Sequence, residues 1–212
     1  MNKIILIPIL VVIGIIISVT FMLPNNEYVE PESQSIYDTG FTYYDIEKIQ
    51  NTLAEQNVFV SAPTAISDHT IDQYCTYFQK GLPRSVEYCT TTAVVNADGD
   101  TIGNINIGGN TQSPILAIAN LETSSLESNQ EETIAVFETM VKTLVCDCWD
   151  EEKSVAYESV TDWIKEVRTF YYDSDQRSIK SKIDNLADHE IFLEITPMEN
   201  SILQTLIILK LD

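Results

Sequence analysis

The sequence predicts an α+β fold. An N-terminal transmembrane helix and an acidic tether are expected to precede one domain, in which about four helices cover a mainly antiparallel β-sheet of about six strands. Three observations support this prediction. The first is an uncharged apolar run near the N-terminus, and the second is a set of stretches with helical apolar spacing. The third is two groups of strand-like runs, separated by two of those helical stretches. Short connections between successive strands favour antiparallel pairing, because parallel strands need long crossovers.

Length and composition limit the classes of protein that fit. The chain has 212 residues, of which 44% are hydrophobic, so it can bury a core and is not globally disordered. Acidic residues number 32 against 12 basic ones, which gives a formal charge of −20. This charge argues against a nucleic-acid partner, and equally against docking on anionic lipid headgroups, because both depend on clustered Lys and Arg.

The membrane-spanning prediction rests on residues 4–23, a run without any charged side chain. At about 1.5 Å per residue, a helix of this length spans roughly 30 Å, about one hydrocarbon core. Lys3 precedes the run and three glutamates follow it before residue 33. The positive-inside bias then places residues 1–3 in the cytoplasm and the rest of the chain outside, anchored in the cell membrane through residues 4–23.

A cleaved signal peptide is the main alternative, and it would leave the domain secreted. Signal peptides are typically shorter in their apolar part and end in a small-residue cleavage site. Residues 21–24, Phe-Met-Leu-Pro, are bulky instead, so a retained signal anchor is favoured. A buried helix of a folded domain is the third possibility. Residues 24–41 are polar, acidic and contain two prolines, which is typical of a tether.

The extracytoplasmic domain is expected to cover residues 42–212. Thr42 and Asp45 resemble a capping box, and apolar residues at helical spacing follow, which predicts a first helix. Residues 58–60 form a short strand-like run. Asp68 is a candidate cap for a second helix, which Gly81 and Pro83 would end. The apolar residues on one face of that helix are Ile71, Tyr74, Cys75 and Phe78.

The clearest local signal is a β-hairpin, because Asp98-Gly99 is a favoured turn pair between strand-like runs. A loop at Gly108 and Gly109 then leads to a third strand, so the pattern predicts an antiparallel meander. The predicted strands are residues 85–96, 101–107 and 115–121.

Two amphipathic helices and three more strands are predicted after the meander. One helix carries an apolar stripe of Ile134, Phe137, Val141, Leu144 and Cys148, and the other carries Ala156, Val160, Trp163, Val167 and Phe170. The strands are residues 179–186, 191–196 and 202–211. The last strand is apolar on both faces, which predicts a central, covered position in the sheet.

Four cysteines lie in the part of the chain that is expected to be exported, and an even number there favours disulfides. The preferred pairing joins Cys75 to Cys89 and leaves Cys146 with Cys148. The crossed pairings, free buried thiols and a thiolate site for zinc or copper(I) are the alternatives. A redox-active Cys146–Cys148 pair is disfavoured, because the end of a helix and nearby acidic residues both oppose a thiolate.

No motif identifies catalytic, cofactor-binding or metal-binding residues, and no cofactor is expected. Nucleophile-elbow and zinc-protease patterns are missing from the sequence. Residues 96–100 resemble the start of a calcium loop, but Thr101 and Ile107 stand where an EF-hand needs Gly and Glu. His69 and His189 have no metal-ligand spacing, and both are expected on the surface.

These observations favour a non-catalytic, membrane-anchored extracytoplasmic domain that acts as an accessory or binding subunit of a membrane or envelope complex, with a protein partner. An extracytoplasmic, hydrolase-like enzyme is the first alternative, since active sites built from scattered residues leave no local motif. A cation- or copper-handling domain is the second. An accessory domain predicts an exposed apolar or aromatic patch, whereas an enzyme predicts a deep pocket with convergent polar groups.

Overall fold

The computed structural model describes residues 40–67, 69–79, 81–149 and 157–211. The predicted membrane-spanning run, the tether up to residue 39, the Asp68 cap and Ala156 in the fourth predicted helix lie outside the described residues. No helix within the described ranges is long and apolar enough to cross a membrane.

The described chain has an α+β fold with four helices and a mainly antiparallel sheet, as predicted. The helices are α1 (Asp45–Ala54), α2 (Ile71–Tyr74), α3 (Gln130–Leu144) and α4 (Val160–Asp173). The short strands are β1 (Phe59–Val60), β2 (Thr64–Ala65), β3 (Thr76–Gln79) and β4 (Leu82–Ser85). The long strands are β5 (Tyr88–Val95), β6 (Thr101–Gly109), β7 (Pro114–Thr123), β8 (Ile179–Leu186), β9 (His189–Pro197) and β10 (Ile202–Lys210).

Six of the eight strands of the large sheet form two three-stranded meanders joined side by side. Its strand order is β1-β5-β6-β7-β10-β9-β8, and β2 also pairs with β5. β7 and β10 pair antiparallel at the centre, with Ile118 opposite Ile207. The six long strands are those that the sequence predicts. Of the short strands, β1 lies within the strand-like run predicted at residues 58–60. The other short strands carry too few residues to show an alternating pattern, and β3 and β4 form a separate hairpin.

The main core lies between α1, α3 and α4 and one face of the sheet. α3 lies against β7 and β10, α4 lies against β8 and β9, and α1 packs on α3 and β1. Phe137, Trp163 and Tyr171 are the largest fully buried side chains in this core. Trp163 Nε1 also donates a hydrogen bond to Ser181 Oγ on β8 (2.9 Å), which satisfies its only polar atom.

The predicted helical stripes are correct over most of their length and wrong at their ends. α3 ends at Leu144, so Cys148 is not part of it. In α4 the stripe continues from Val167 to Tyr171, which is buried, whereas Phe170 is exposed. Successive residues of a helix point about 100° apart, so only one of these two neighbours can face the sheet.

The Asp98-Gly99 turn closes the β5–β6 hairpin as predicted. Gly99 has φ +89°, a left-handed conformation that glycine adopts without strain. Asn96 Oδ1 accepts hydrogen bonds from the backbone N–H groups of Asp98 (3.1 Å) and Asp100 (2.9 Å). The oxygen-bearing side chain of Asn96 therefore organises the turn itself.

The start of α1 differs slightly from a capping box. Asp45 Oδ2 accepts a hydrogen bond from the backbone N–H of Thr42 (2.6 Å), as such a box requires. Thr42 Oγ1 donates to the same carboxylate oxygen (3.0 Å), and the helix begins at Asp45. Of the two hydrogen bonds of a capping box, the one accepted by the acidic side chain is therefore present.

The second predicted helix is wrong beyond its first turn. Only Ile71–Tyr74 is helical; Cys75 then turns the chain, and Thr76–Gln79 forms β3. The strand predicted for residues 85–96 is also interrupted, because Ser85 ends β4 and β5 starts at Tyr88. Thr, Tyr and Phe at positions 76–78 are compatible with a strand, but the apolar spacing alone predicts a helix there.

The glycine pair after the hairpin lies in a strand rather than in a wide turn, contrary to the prediction. Gly108 and Gly109 are the last residues of β6, paired with Cys89 and Tyr88 of β5. The turn itself follows at residues 110–113. The prediction that β10 is central is correct, since β7 and β9 flank it on both sides.

His189 is buried, not exposed as predicted, and this gives a pH-dependent stability. Burial lowers its pKa below the ordinary 6.5, and nearby Lys210 acts in the same direction. The unfolded chain therefore takes up a proton below about pH 6.5 that the folded chain does not bind. The free energy of unfolding therefore has its highest value above that pH. It falls as the pH drops from about 6.5 through the lower pKa of the folded state.

We expect His189→Gln to reduce the loss of stability between about pH 7.5 and pH 5.5. Urea unfolding at both pH values measures this loss. His69→Gln is the matched control, because His69 is exposed. An unchanged pH dependence in the His189 variant would contradict the assignment.

Candidate functional site

The face of the sheet opposite α1, α3 and α4 is covered only in part; we call it the open face. Residues 71–79 and 81–86, which include α2 and the β3–β4 hairpin, lie over one side of it. A second, smaller core lies beneath this segment. Its buried members are Ile71, Cys75, Val86, Cys89, Leu116, Ile118 and Leu209.

The predicted cysteine pairing is confirmed, and the pair Cys75–Cys89 holds the hairpin on the open face. The Cα atoms of these two residues are 6.3 Å apart, and both side chains are fully buried. Gly108 allows the close approach: a Cβ atom there would lie 3.0 Å from Cys75 Sγ and 2.9 Å from Val86 Cγ2. The bridge joins the turn before β3 to the first long strand of the sheet.

Cys146 and Cys148 form the second pair at disulfide distance, with Cα atoms 5.1 Å apart. They follow the end of α3 and precede Trp149, whose Nε1 donates a hydrogen bond to the carbonyl oxygen of Tyr157 (3.1 Å). Within the described ranges, no group of three or more His, Cys, Asp or Glu residues is arranged to hold a metal ion.

The β3–β4 hairpin exposes apolar side chains. Phe78 is 65% exposed and Leu82 is 60% exposed, and all four residues of β4 are exposed. The surrounding sequence, residues 73–86, contains no Asp or Glu but does contain Lys80 and Arg84. An acid-free, apolar stretch is unusual in a chain with a charge of −20.

A groove of about 300 Å³ lies between the hairpin and the open face. Its wall is formed by Gln73, Tyr74, Thr76, Tyr77 and Phe78. Its floor comes from β7, β8, β9 and β10, through Ile118, Asn120, Lys180, Phe192, Glu194, Thr205, Ile207 and Leu209. Ile207 is only half-buried, so β10 is covered less on this face than its sequence predicts.

The charged groups of the groove compensate each other. Lys180 Nζ forms an ion pair with Glu194 and lies 4.4 Å from the centroid of the Phe192 ring. Lys182 lies two residues further along the same strand, outside the groove lining; it pairs with Glu190 (2.6 Å), and hydrogen bonds to Asp184 and Glu190 raise its pKa. The floor is therefore close to neutral in a strongly acidic protein.

Three asparagines and one threonine form a hydrogen-bonded row across the open face, which we call the asparagine row. Asn104 Oδ1 accepts from Asn106 Nδ2 (2.9 Å) and from Asn120 Nδ2 (3.4 Å). Thr205 Oγ1 donates to Asn120 Oδ1 (3.0 Å). Asn is depleted in strands, so three of them on two neighbouring strands depart from the usual preference. Asn106 is fully buried.

Sequence reasoning missed the groove and the asparagine row. The alternation Asn104-Ile105-Asn106-Ile107 is visible in the sequence, and it places both asparagines on one face. Nothing in the sequence alone shows that Asn120 and Thr205 extend the row, because that depends on strand register. The predicted Cys75–Cys89 pair, by contrast, lies at the base of the hairpin, although the sequence predicts a helix at this place.

Shifted acid–base groups lie elsewhere. Burial raises the pKa of Tyr172 to about 12, assisted by a 2.5 Å hydrogen bond to Glu127. Burial also raises the pKa of Tyr43, whose hydroxyl donates to the carbonyl oxygen of Asn110 (2.7 Å). Neither tyrosine lines the groove.

No protein-family model matches this chain, and the comparisons with curated proteins and with solved structures also give no match.

Proposed function

We propose that this protein is a single-pass, membrane-anchored extracytoplasmic domain that acts without catalysis as an accessory or binding subunit of a membrane or envelope complex, docking a protein partner through the β3–β4 hairpin. The observation that carries the proposal is the exposure of strand β4, with the apolar side chains of Leu82 and Pro83, on an acid-free hairpin fixed by the Cys75–Cys89 pair. Clustered exposed apolar side chains are typical of interaction sites.

The anchoring part of the proposal is supported by the sequence. Residues 4–23 carry no charge and are long enough for one bilayer crossing. Residues 24–39 then act as a tether that holds the domain away from the bilayer. Phe41, which the sequence places in the tether, is instead buried in the main core. Lys3 and the glutamates after the run favour a cytoplasmic N-terminus.

The docking part is supported by the chemistry of the hairpin. Interface centres are depleted in Lys, Glu and Asp and enriched in aromatic residues and Arg. Leu82 and Arg84 lie on the exposed strand β4, and the buried disulfide fixes the base of the hairpin. An element ordered before binding loses less conformational entropy on association, which favours affinity.

The experiment is purification of the full-length protein from its native membranes in mild detergent, with mass spectrometry of the proteins that accompany it. We expect a stoichiometric companion with the wild type. The variant Leu82→Ser/Arg84→Ser should reduce its recovery by about tenfold, since hot-spot truncations cost a kcal/mol or more. Tyr44→Ser is the matched control, because Tyr44 is 79% exposed but lies outside the hairpin.

Two results would contradict the proposal. One is a wild-type protein that purifies alone from native membranes. The other is a companion that the hairpin variant retains as well as the wild type does, which would place any docking surface elsewhere.

A further inference from the structure

We infer that the groove between the hairpin and the open face binds a neutral saccharide of one or two sugar rings. This goes beyond the docking proposal, because the protein partner is assigned to the exposed strand β4, whereas the saccharide is assigned to the space between β3 and the sheet. The two assignments can fail independently.

The groove offers the two surfaces that a sugar ring needs. Tyr74, Tyr77 and Phe78 line one side and can pack against the C–H face of a ring. Asn120 and Thr205 lie on the floor and bring an amide and a hydroxyl, which match sugar hydroxyls as donors and acceptors. A volume of about 300 Å³ is at the lower end of ligand pockets, which suits a small ligand.

The asparagine row orients the polar part of the floor before any ligand arrives. Asn120 Oδ1 accepts from Thr205, and Asn120 Nδ2 donates one hydrogen to Asn104. A primary amide carries two N–H hydrogens, so the second remains for a ligand oxygen. Fixing an amide in this way lowers the cost of ordering it on binding.

Charge excludes most anionic ligands. Among the residues that the structure describes, Lys180 is the cation that lines the groove, and it is already paired with Glu194. The chain as a whole carries −20, which repels phosphates and nucleic acids at long range. A neutral ligand meets neither obstacle.

Two other neutral occupants fit less well. An extended peptide gains affinity from unpaired main-chain groups at a sheet edge, but the floor is the face of paired strands β7, β10, β9 and β8. An acyl chain would cover Asn120, Thr205 and the Lys180–Glu194 pair without replacing their hydration. A hydroxyl-rich ligand with apolar faces avoids both penalties.

The test uses the full-length protein in polyoxyethylene detergent, because glucoside and maltoside detergents themselves carry sugars. The probes are immobilised neutral oligosaccharides of glucose, galactose, mannose and N-acetylglucosamine. We expect retention on at least one of them, and competition by the same oligosaccharide in solution. No retention on any of these probes would overturn the inference.

Variants separate the groove from the rest of the hairpin. Phe78→Ala and Asn120→Ala should each weaken binding by about tenfold, since each removes a wall ring or a floor amide. Leu82→Ser is the control on the same hairpin, and it should leave saccharide binding unchanged because Leu82 does not line the groove. Tyr74→Ala, at a partly exposed position, gives a second wall variant in case Asn120→Ala does not fold.

Retention that persists unchanged in both Phe78→Ala and Tyr74→Ala would overturn the inference. A protein that loses its companion in Leu82→Ser/Arg84→Ser but still binds the oligosaccharide would support both assignments separately.

Discussion

A chain truncated before Ile202 is expected not to fold. The deletion removes β10, which pairs with β7 on one side and β9 on the other and joins the two meanders. It also removes Leu206 and Ile208 from the main core, where both are fully buried. Losing the central strand exposes two new sheet edges and the apolar faces beside them. The free-energy cost of this exposure far exceeds the few kcal/mol that stabilise a domain.

Thermal unfolding followed by circular dichroism is the measurement, and the truncated chain should show no cooperative transition. Leu206→Ala provides a graded comparison and should cost about 2–5 kcal/mol, as for other buried Leu→Ala changes. Met198→Ala is the control, because Met198 is exposed in the turn before β10 and should change stability by less than about 0.5 kcal/mol. A cooperative transition in the truncated chain would contradict the central placement of β10.

The two cysteine pairs are expected to contribute unequally to stability. Cys75 and Cys89 close a loop with a sequence separation of 14, whereas the separation is 2 for Cys146 and Cys148. In the chain-entropy model, a loop of that longer size is worth about 3 kcal/mol and the shorter one about half as much. Replacing both members of the first pair by Ala also leaves a cavity beneath the hairpin, which adds to the loss.

Urea unfolding without reductant measures both double variants, Cys75→Ala/Cys89→Ala and Cys146→Ala/Cys148→Ala. We expect the first to lose clearly more free energy of unfolding than the second, which serves as its matched control. The first variant should also recover less of the companion protein, since the hairpin loses its covalent anchor. Equal losses in the two variants would contradict the role given to the Cys75–Cys89 pair.

The long elements could be predicted because their patterns repeat over many residues. β5 to β10, α3 and α4 each bury one face of a regular helix or strand, and the period of apolar residues follows from that. The Asp98-Gly99 turn was predictable for a different reason, since its geometry calls for a glycine with positive φ.

The elements at the hairpin were not predictable in the same way. Ile71, Tyr74, Cys75 and Phe78 have helical spacing, yet the chain turns at Cys75 and continues as a strand. The decisive contacts are distant in sequence: Cys75 meets Cys89 and packs on Gly108. The pattern of neighbouring residues in the sequence therefore does not indicate those contacts.

The candidate site could not be predicted from the sequence for a related reason. The groove takes residues from the hairpin and from four strands, and only strand register brings Asn120 beside Thr205. His189 shows the same limit, because its burial depends on Phe41 and Gly40 packing against it and not on its own neighbours in sequence.

The most direct test of the proposed function is site-specific photo-crosslinking in intact cells. A photoreactive amino acid replaces Leu82 on the hairpin in one version of the full-length protein and Glu55 in another. Both positions are exposed, but Glu55 follows the end of α1 on the opposite side of the sheet. We predict a discrete crosslinked partner from position 82 and none from position 55. A partner captured from position 55 but not from position 82 would contradict docking through the hairpin.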